Sequence, residues 1–355
     1  MVATLPPAPG RRRGRGERVD ATLTEDQQLL ADSVARIAED LAPASVAALD
    51  TDDDGAGWQV LVDTGLLTLR ARSAEGTRAS GVEAAIVAEA FGRKLSRVPF
   101  VGALLATELL IAAGAEEELT AAASGARRVC IALDPDLARV AGTARALAWD
   151  GGGASHAATV ARDERGWVVA TRPVAGRRVE SIDPTRTVVE LAEGRSAACG
   201  TPLDDAAMAR WTAFALTVLC ADMVGLMQGA LDLAVAHASQ RVQFGRRIGS
   251  FQAIQHLCAE QHVSIEAARS ATYHAAWAVD GLDAEDARDA ASAAKVYVSA
   301  EAVTVTESAI QVLGGIGHTW ESLAHLHLRR SLMDRATLGD DTTHLSAIAD
   351  ALSCS

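Results

Sequence analysis

"RVQFGRRIGSFQAIQ", residues 241–255, holds two phenylalanines, three arginines and three glutamines in one turn and the start of a helix. Rings, guanidiniums and amides at this density fill a core badly and hold a flat, polar ligand well. The flanking sequence gives the stretch its setting. Upstream, "DAAMARWTAFALTVLCADMVGLMQGALDLAVAHASQR" reads as one helix up to about 50 Å long at ~1.5 Å per residue, apolar nearly all round and therefore inside a bundle. Downstream, two more long helices are expected, from Ser250 to about Val279 and from Ala284 to Leu313, broken by "DGLDAED" and stopped by "GGIG".

Further from the stretch the texture changes twice. Between Arg127 and Ala192 come short β-prone runs, "RVCIALD", "ARALAWD", "HAATVARD", "GWVVATRPV" and "TRTVVELA", separated by the turn-formers "DGGG" and "DERG". Before them, from Leu23 to about Leu119, the pattern is helical. Thr24 is placed to cap a helix whose Leu29, Leu30, Val34, Ile37 and Leu41 share a face, and Gly114 is placed to end a later one. The expected order is a disordered basic tail (1–20), an N-terminal helical domain (21–125), a small middle β-domain (126–203) and a C-terminal four-helix bundle (204–355). The fold class is mainly α with a small β-domain.

Composition excludes several functions. Lys and Arg total 33 against 46 Asp and Glu, a net charge of −13, so neither duplex nucleic acid nor an anionic membrane is an expected partner. Any anion must be held by a local basic cluster. Five cysteines, Cys130, Cys199, Cys220, Cys258 and Cys354, include no C-x-x-C pair, which suits buried thiols in a reducing cytoplasm. The four arginines within Arg11–Arg15 read as part of a solvated tail. The apolar run at 211–227 is short for a bilayer span and contains Asp222, so a buried helix is expected. No metal site is expected: His325 and His327 are two apart and face different sides of a helix, which marks them as solvated or capping residues. Arg329 and Arg330 read as partners for acidic groups at a subunit interface.

"QRVQFGRRIGSFQAIQH" and "AIQVLGGIGHTWESLAHLHLRR" resemble the acyl-CoA dehydrogenase family, through R-x-x-F-G-x-x-x-x-x-F-Q and a later Q-x-x-G-G. "LTEDQQLLADSV", "AFGRKLSRVPFVG" and "IDPTRTVVEL" extend the resemblance over nearly the whole chain. It implies an acyl-CoA dehydrogenase-like fold and FAD as cofactor, with Arg241, Gln243, Phe244, Ile248, Phe251, Gln311, Gly314 and Gly315 reaching across a dimer interface to a flavin seated mainly in a neighbouring subunit. The chemistry suits that role. A pyrophosphate needs a fixed cation with several donors, an adenine needs flat apolar contact, and a glycine pair lets a ligand approach backbone.

The same resemblance exposes departures. The family's dehydrogenation needs a carboxylate to take the α-proton. Most members place it in a Tyr-Glu-Gly segment, where this chain reads Thr337-Leu338-Gly339. Some place it on the first long helix of the bundle, where this chain has Ala215 followed by Leu216. The stretches that hold the isoalloxazine ring in the family are also missing, with Asp134-Pro135 the only echo. Residues given to a neighbour's flavin are present and those needed for the chain's own are absent. The expectation is a non-catalytic subunit, paired in an α2β2 assembly with a second acyl-CoA dehydrogenase subunit carrying the catalytic Glu, acting on an acyl-CoA such as a steroid side-chain ester. The alternatives are a homomeric enzyme whose base has moved to Asp334, Asp340 or Asp341, and a flavin-free scaffold.

Overall fold

The computed structural model describes residues 22–50, 55–72, 76, 78–142 and 145–353. The basic tail at Arg11–Arg15 lies outside the described residues. The architecture is mostly helical, with a small sheet in the middle of the chain.

Five helices come first, α1 (Glu25–Asp40), α2 (Ala56–Asp63), α3 (Gly81–Arg93), α4 (Phe100–Ala113) and α5 (Glu116–Ala123). Thr24 caps α1 in a reciprocal box with Gln27, and Ser80 does the same for α3 with Glu83. Gly114 ends α4 in the left-handed conformation, at φ 64°. Helix α4 is buried nearly all round, which explains why its sequence shows no polar face.

Seven strands follow: β1 (Val129–Leu133), β2 (Leu147–Trp149), β3 (His156–Asp163), β4 (Gly166–Pro173), β5 (Gly176–Val179), β6 (Val188–Leu191) and β7 (Ala197–Ala198). They form one sheet in the order β5-β6-β2-β1-β3-β4-β7. The β1–β3 pair is parallel, and β3 and β4 form a hairpin in register from His156↔Pro173 to Asp163↔Gly166. The sequence pattern marks five of these strands. It misses β5 and β7, exposed edge strands whose residues, "GRRV" and "AA", carry no β signature because only one side of the backbone is paired.

The C-terminal half packs α6 (Asp205–Gln240), α7 (Gln252–Gly281) and α8 (Ala284–Leu313) with the shorter α9 (Ala324–Ala336) and α10 (Asp341–Ser353). Helix α6 is long and apolar enough to cross a bilayer, but its most apolar window is 94% buried within the protein. Helices α3 and α6 meet along a glycine seam. A Cβ on Gly92 would lie 2.3 Å from the Asp222 carbonyl oxygen, and one on Gly229 would lie 2.2 Å from that of Arg93. This backbone contact sets the depth at which Asp222 sits.

Candidate functional site

Arg241 ends α6, and the chain turns back through a two-stranded hairpin, β8 (Val242–Gln243) and β9 (Arg246–Arg247), paired Val242↔Arg247 and Gln243↔Arg246. The two turn residues, Phe244 and Gly245, have φ of 51° and 78°. This double left-handed turn suits glycine and strains a phenylalanine, by about 1–2 kcal/mol. The Phe244 ring stands in solvent, 92% exposed. Phe251 meets it edge-on at 6.2 Å, and the Arg246 guanidinium lies 3.9 Å over the Phe251 ring. Arg241 and Gln243 are exposed beside them, and Arg241 has no carboxylate partner among the described residues.

The second motif arrives at the same end of the bundle. Ile248 joins Val312 and Leu313 in one apolar cluster floored by Ala230, Ala234, Ala238 and Ala309 of α6 and α8. That cluster fixes the hairpin against the end of α8, where Gln311, Gly314 and Gly315 are exposed. Gly314 caps α8 with φ 66° and ψ −143°, a conformation reserved for glycine. Gly315 has no positive φ, and no atom of the described residues lies within 4 Å of where its Cβ would be. Nothing among the described residues requires a glycine at 315, so its bareness fits something that approaches from outside.

The two positions at which the resemblance expects a catalytic carboxylate hold buried apolar residues. Ala215 is buried inside α6. Leu338 is 8% exposed, belongs to the main apolar core and sits at φ 58°. Its N–H donates to the Leu137 carbonyl at 2.7 Å, so the β1–β2 loop lies directly on this segment. The neighbouring aspartates are engaged: Asp340 accepts from the Thr343 N–H at 2.8 Å at the start of α10, and Asp341 pairs with Arg335 at 2.8 Å.

Asp334 belongs to a buried charge cluster that joins the sheet to the bundle. Asp222 of α6 takes a forked pair from Arg330 of α9, at 3.0 and 2.8 Å, and a further bond from Arg186 at 2.7 Å. Arg186 also reaches Asp150 at 3.1 Å and Asp334 at 3.3 Å, and stacks 4.5 Å over the Trp149 ring. Arg330 continues to the Ser96 carbonyl at 2.9 Å, and Lys295 of α8 holds the carbonyls of Asp334 and Thr337. Burial pushes the Asp222 carboxyl up, but Arg330 and Arg186 outweigh it and hold it at about 2. Burial also pushes Asp334 well up, Arg186 opposes this, and the charge on Asp222 adds to the rise. Burial and the neighbouring Asp222 charge therefore favour the protonated form of Asp334. Burial brings Lys295 down to about 8.

Three expectations are corrected here. Arg330 pairs within its own chain, because Asp222 lies directly opposite it in the core; Arg329 bonds the Ile182 carbonyl and lies 5.4 Å over the Trp320 ring. His327 is not solvated: it is 3% exposed, and burial followed by the charge of Arg330 drives it to about 3. His325 is half-buried against Trp320, with ring centroids 4.9 Å apart. Asp334 faces the cluster and presents no carboxylate to solvent. Sequence reasoning used Asp222 only to argue against a membrane span. Its true signal was an acid amid apolar residues on all sides, which requires buried cations. Among the described residues, no group of three or more His, Cys, Asp or Glu side chains is arranged to hold a metal ion.

A fold of this kind, ending in a three-helix core with the R-x-x-F-G hairpin at its tip, belongs to a known class: the chain is a member of the acyl-CoA dehydrogenase family. The family's C-terminal domain, "Acyl-CoA dehydrogenase, C-terminal domain", matches residues 205–353. The chain is similar to the acyl-CoA dehydrogenase IpdE2 of Mycobacterium tuberculosis, 33% identical over 321 residues that cover 87% of this chain and 92% of that protein. Among solved structures, its fold matches a chain of the ChsE4-ChsE5 complex from Mycobacterium tuberculosis with a TM-score of 0.76, 24% identity and coverage of 95% and 100% of the two chains. It also matches a chain of a Tcur3481-Tcur3483 steroid ACAD variant with a TM-score of 0.80, 24% identity and coverage of 93% and 98%.

Proposed function

We propose that this chain is the non-catalytic subunit of a heteromeric, FAD-dependent acyl-CoA dehydrogenase, assembled as α2β2 with a second family member that carries the catalytic Glu. The observation that carries the reading is an asymmetry. Arg241, Gln243, Phe244, Gln311, Gly314 and Gly315, suited to a neighbour's flavin, stand exposed at the tip of the bundle, whereas Leu338, at the position where the resemblance expects the base, is buried under Leu137. Bound FAD would supply a hydride acceptor for the β-carbon of the thioester. Arg241 would offer a guanidinium to its pyrophosphate, Phe244 and Phe251 would offer flat apolar contact, and Gln311 with Gly314 and Gly315 would present an amide beside bare backbone. The α-proton would go to the partner's carboxylate. The kinship with a complex of two named chains and with a steroid ACAD favours a two-chain assembly acting on a bulky, steroid-type acyl-CoA.

A homomeric enzyme with a moved base has less support, because Asp334, Asp340 and Asp341 are each held by other groups. The test is flavin content and mass of the purified chain, alone and co-expressed with the product of an adjacent acyl-CoA dehydrogenase gene. One FAD per pair of chains in a tetramer, only on co-expression, is the expected result. One FAD per subunit and acyl-CoA oxidation by the chain alone would overturn the proposal.

A further inference from the structure

The ends of β4, β5 and β6 enclose an open groove of about 750 Å³ lined by Arg145, Arg172, Arg177, Glu190, Glu193 and Gly194. Arg172 is the unusual member. It is 3% exposed, its guanidinium donates to the Ala192 carbonyl, and it has no carboxylate partner among the described residues. The three other buried arginines are all neutralised: Arg70 by Glu108 and Asp280, Arg186 by Asp150 and Asp222, and Arg330 by Asp222. A guanidinium out of water without a counter-ion is unfavourable, and one carbonyl uses a small part of its five donors.

The rest of the lining does not supply the missing charge. Arg145 and Arg177 converge on Glu190 at 2.7 and 2.9 Å, and their hydrogen bonds hold that carboxyl below its ordinary range. Glu193 is exposed at the rim. Three guanidiniums therefore face two carboxylates, one of which is already shared, in a chain whose net charge is −13. The local excess is a property of this groove, and its size lies within the range that takes a small ligand.

We infer that the groove is an anion site for a phosphate group, with the Arg172 fork as its floor and Arg145 and Arg177 as its rim. Planar forks of this kind match tetrahedral phosphate oxygens two at a time. The phosphate is either free or carried as a nucleotide ester. The inference is independent of how flavin is shared.

The test is thermal unfolding and calorimetric titration of the full chain, purified with its partner subunit, against inorganic phosphate, adenosine 3′,5′-bisphosphate, acetate and sodium chloride at matched ionic strength. Phosphate should raise the melting temperature beyond the chloride control. Arg172→Met should melt higher than the parent without ligand and lose the phosphate response, a pairing that a purely structural arginine would not give. Arg177→Gln, at an exposed position, should keep the parental melting temperature and weaken phosphate about tenfold. Bisphosphate binding at least tenfold tighter than phosphate, and lost in Arg172→Met, assigns the ligand as a nucleotide ester; equal binding, or a bisphosphate response that Arg172→Met leaves intact, assigns free phosphate. A phosphate effect no larger than that of chloride, an equal effect of acetate, or a response unchanged in both variants would overturn the inference.

Discussion

Asp222 and Asp334 are the same side chain in one buried cluster, yet their replacement by asparagine should have unequal effects. Asp222→Asn removes the charge that meets the Arg330 fork at 3.0 and 2.8 Å and Arg186 at 2.7 Å. Arg330 would keep only the Ser96 carbonyl, and Arg186 would depend on Asp150, Asp334 and the more distant Asp183. Breaking a buried pair in this way costs about 3–5 kcal/mol. An unfolding entropy of roughly 2.1 cal/mol/K per residue over the whole chain is about 0.75 kcal/mol/K, so the melting temperature should fall by about 4–7 °C. Asp334→Asn should remove little charge, because burial and the Asp222 charge already favour the protonated form, and the amide offers a donor toward Asp222. Its cost should stay within about 1 kcal/mol.

The pH dependence separates the two further. Asp222 is depressed, so its contribution is present above its unfolded value of about 3.9 and is lost as pH falls through about 2. Asp334 is raised, so its contribution is full below about 3.9 and is lost as pH rises through its folded value. Asp334→Asn should therefore gain on the parent as pH rises, and the deficit of Asp222→Asn should shrink toward pH 2. Thermal unfolding of the purified complex at fixed protein concentration, from acid to neutral pH, measures both. Equal losses at neutral pH, or a larger loss for Asp334→Asn, would refute the assigned protonation.

Arg241→Ala should lower flavin affinity of the assembled complex roughly ten- to hundredfold, the loss of a charge-assisted hydrogen bond of about 1.5–3 kcal/mol, read by flavin fluorescence on dilution. Leu338→Glu alone should create no acyl-CoA oxidation in a homo-oligomer, since the new carboxylate would sit under the Leu137 loop; dye-reduction activity of the single chain checks this. Gly229→Ala should destabilise by about 3 kcal/mol, because its Cβ would meet the Arg93 carbonyl at 2.2 Å and His327 at 2.5 Å; the readout is melting temperature, with Ala230→Gly as a comparison in the same helix.

The sequence displays those parts of the fold that rest on local rules. Thr24 with Gln27 three residues on is a helix start in any context, and Asp283 and Gly314 bracket α8 because one side chain accepts backbone N–H groups and the other residue leaves the helix with φ 66°. The hairpin and the glycine pair show as a spaced motif, although their meeting through Ile248 and Leu313 depends on how α6 and α8 pack. The charge cluster is illegible for the opposite reason. Asp150, Arg186, Asp222, Lys295 and the Arg330 and Asp334 of α9 come from widely separated stretches of the chain, and each alone resembles a surface charge or a helix impurity. Only Asp222 carries a local anomaly, an acid surrounded by apolar residues for four turns of helix. That anomaly implies buried cations, and the glycine seam at Gly92, Gly225 and Gly229 implies that α3 lies close enough to seal them from water. An acid on such a helix is better read as a demand for partners than as an argument about membranes, because the cost of leaving it unpaired is the same in either apolar medium.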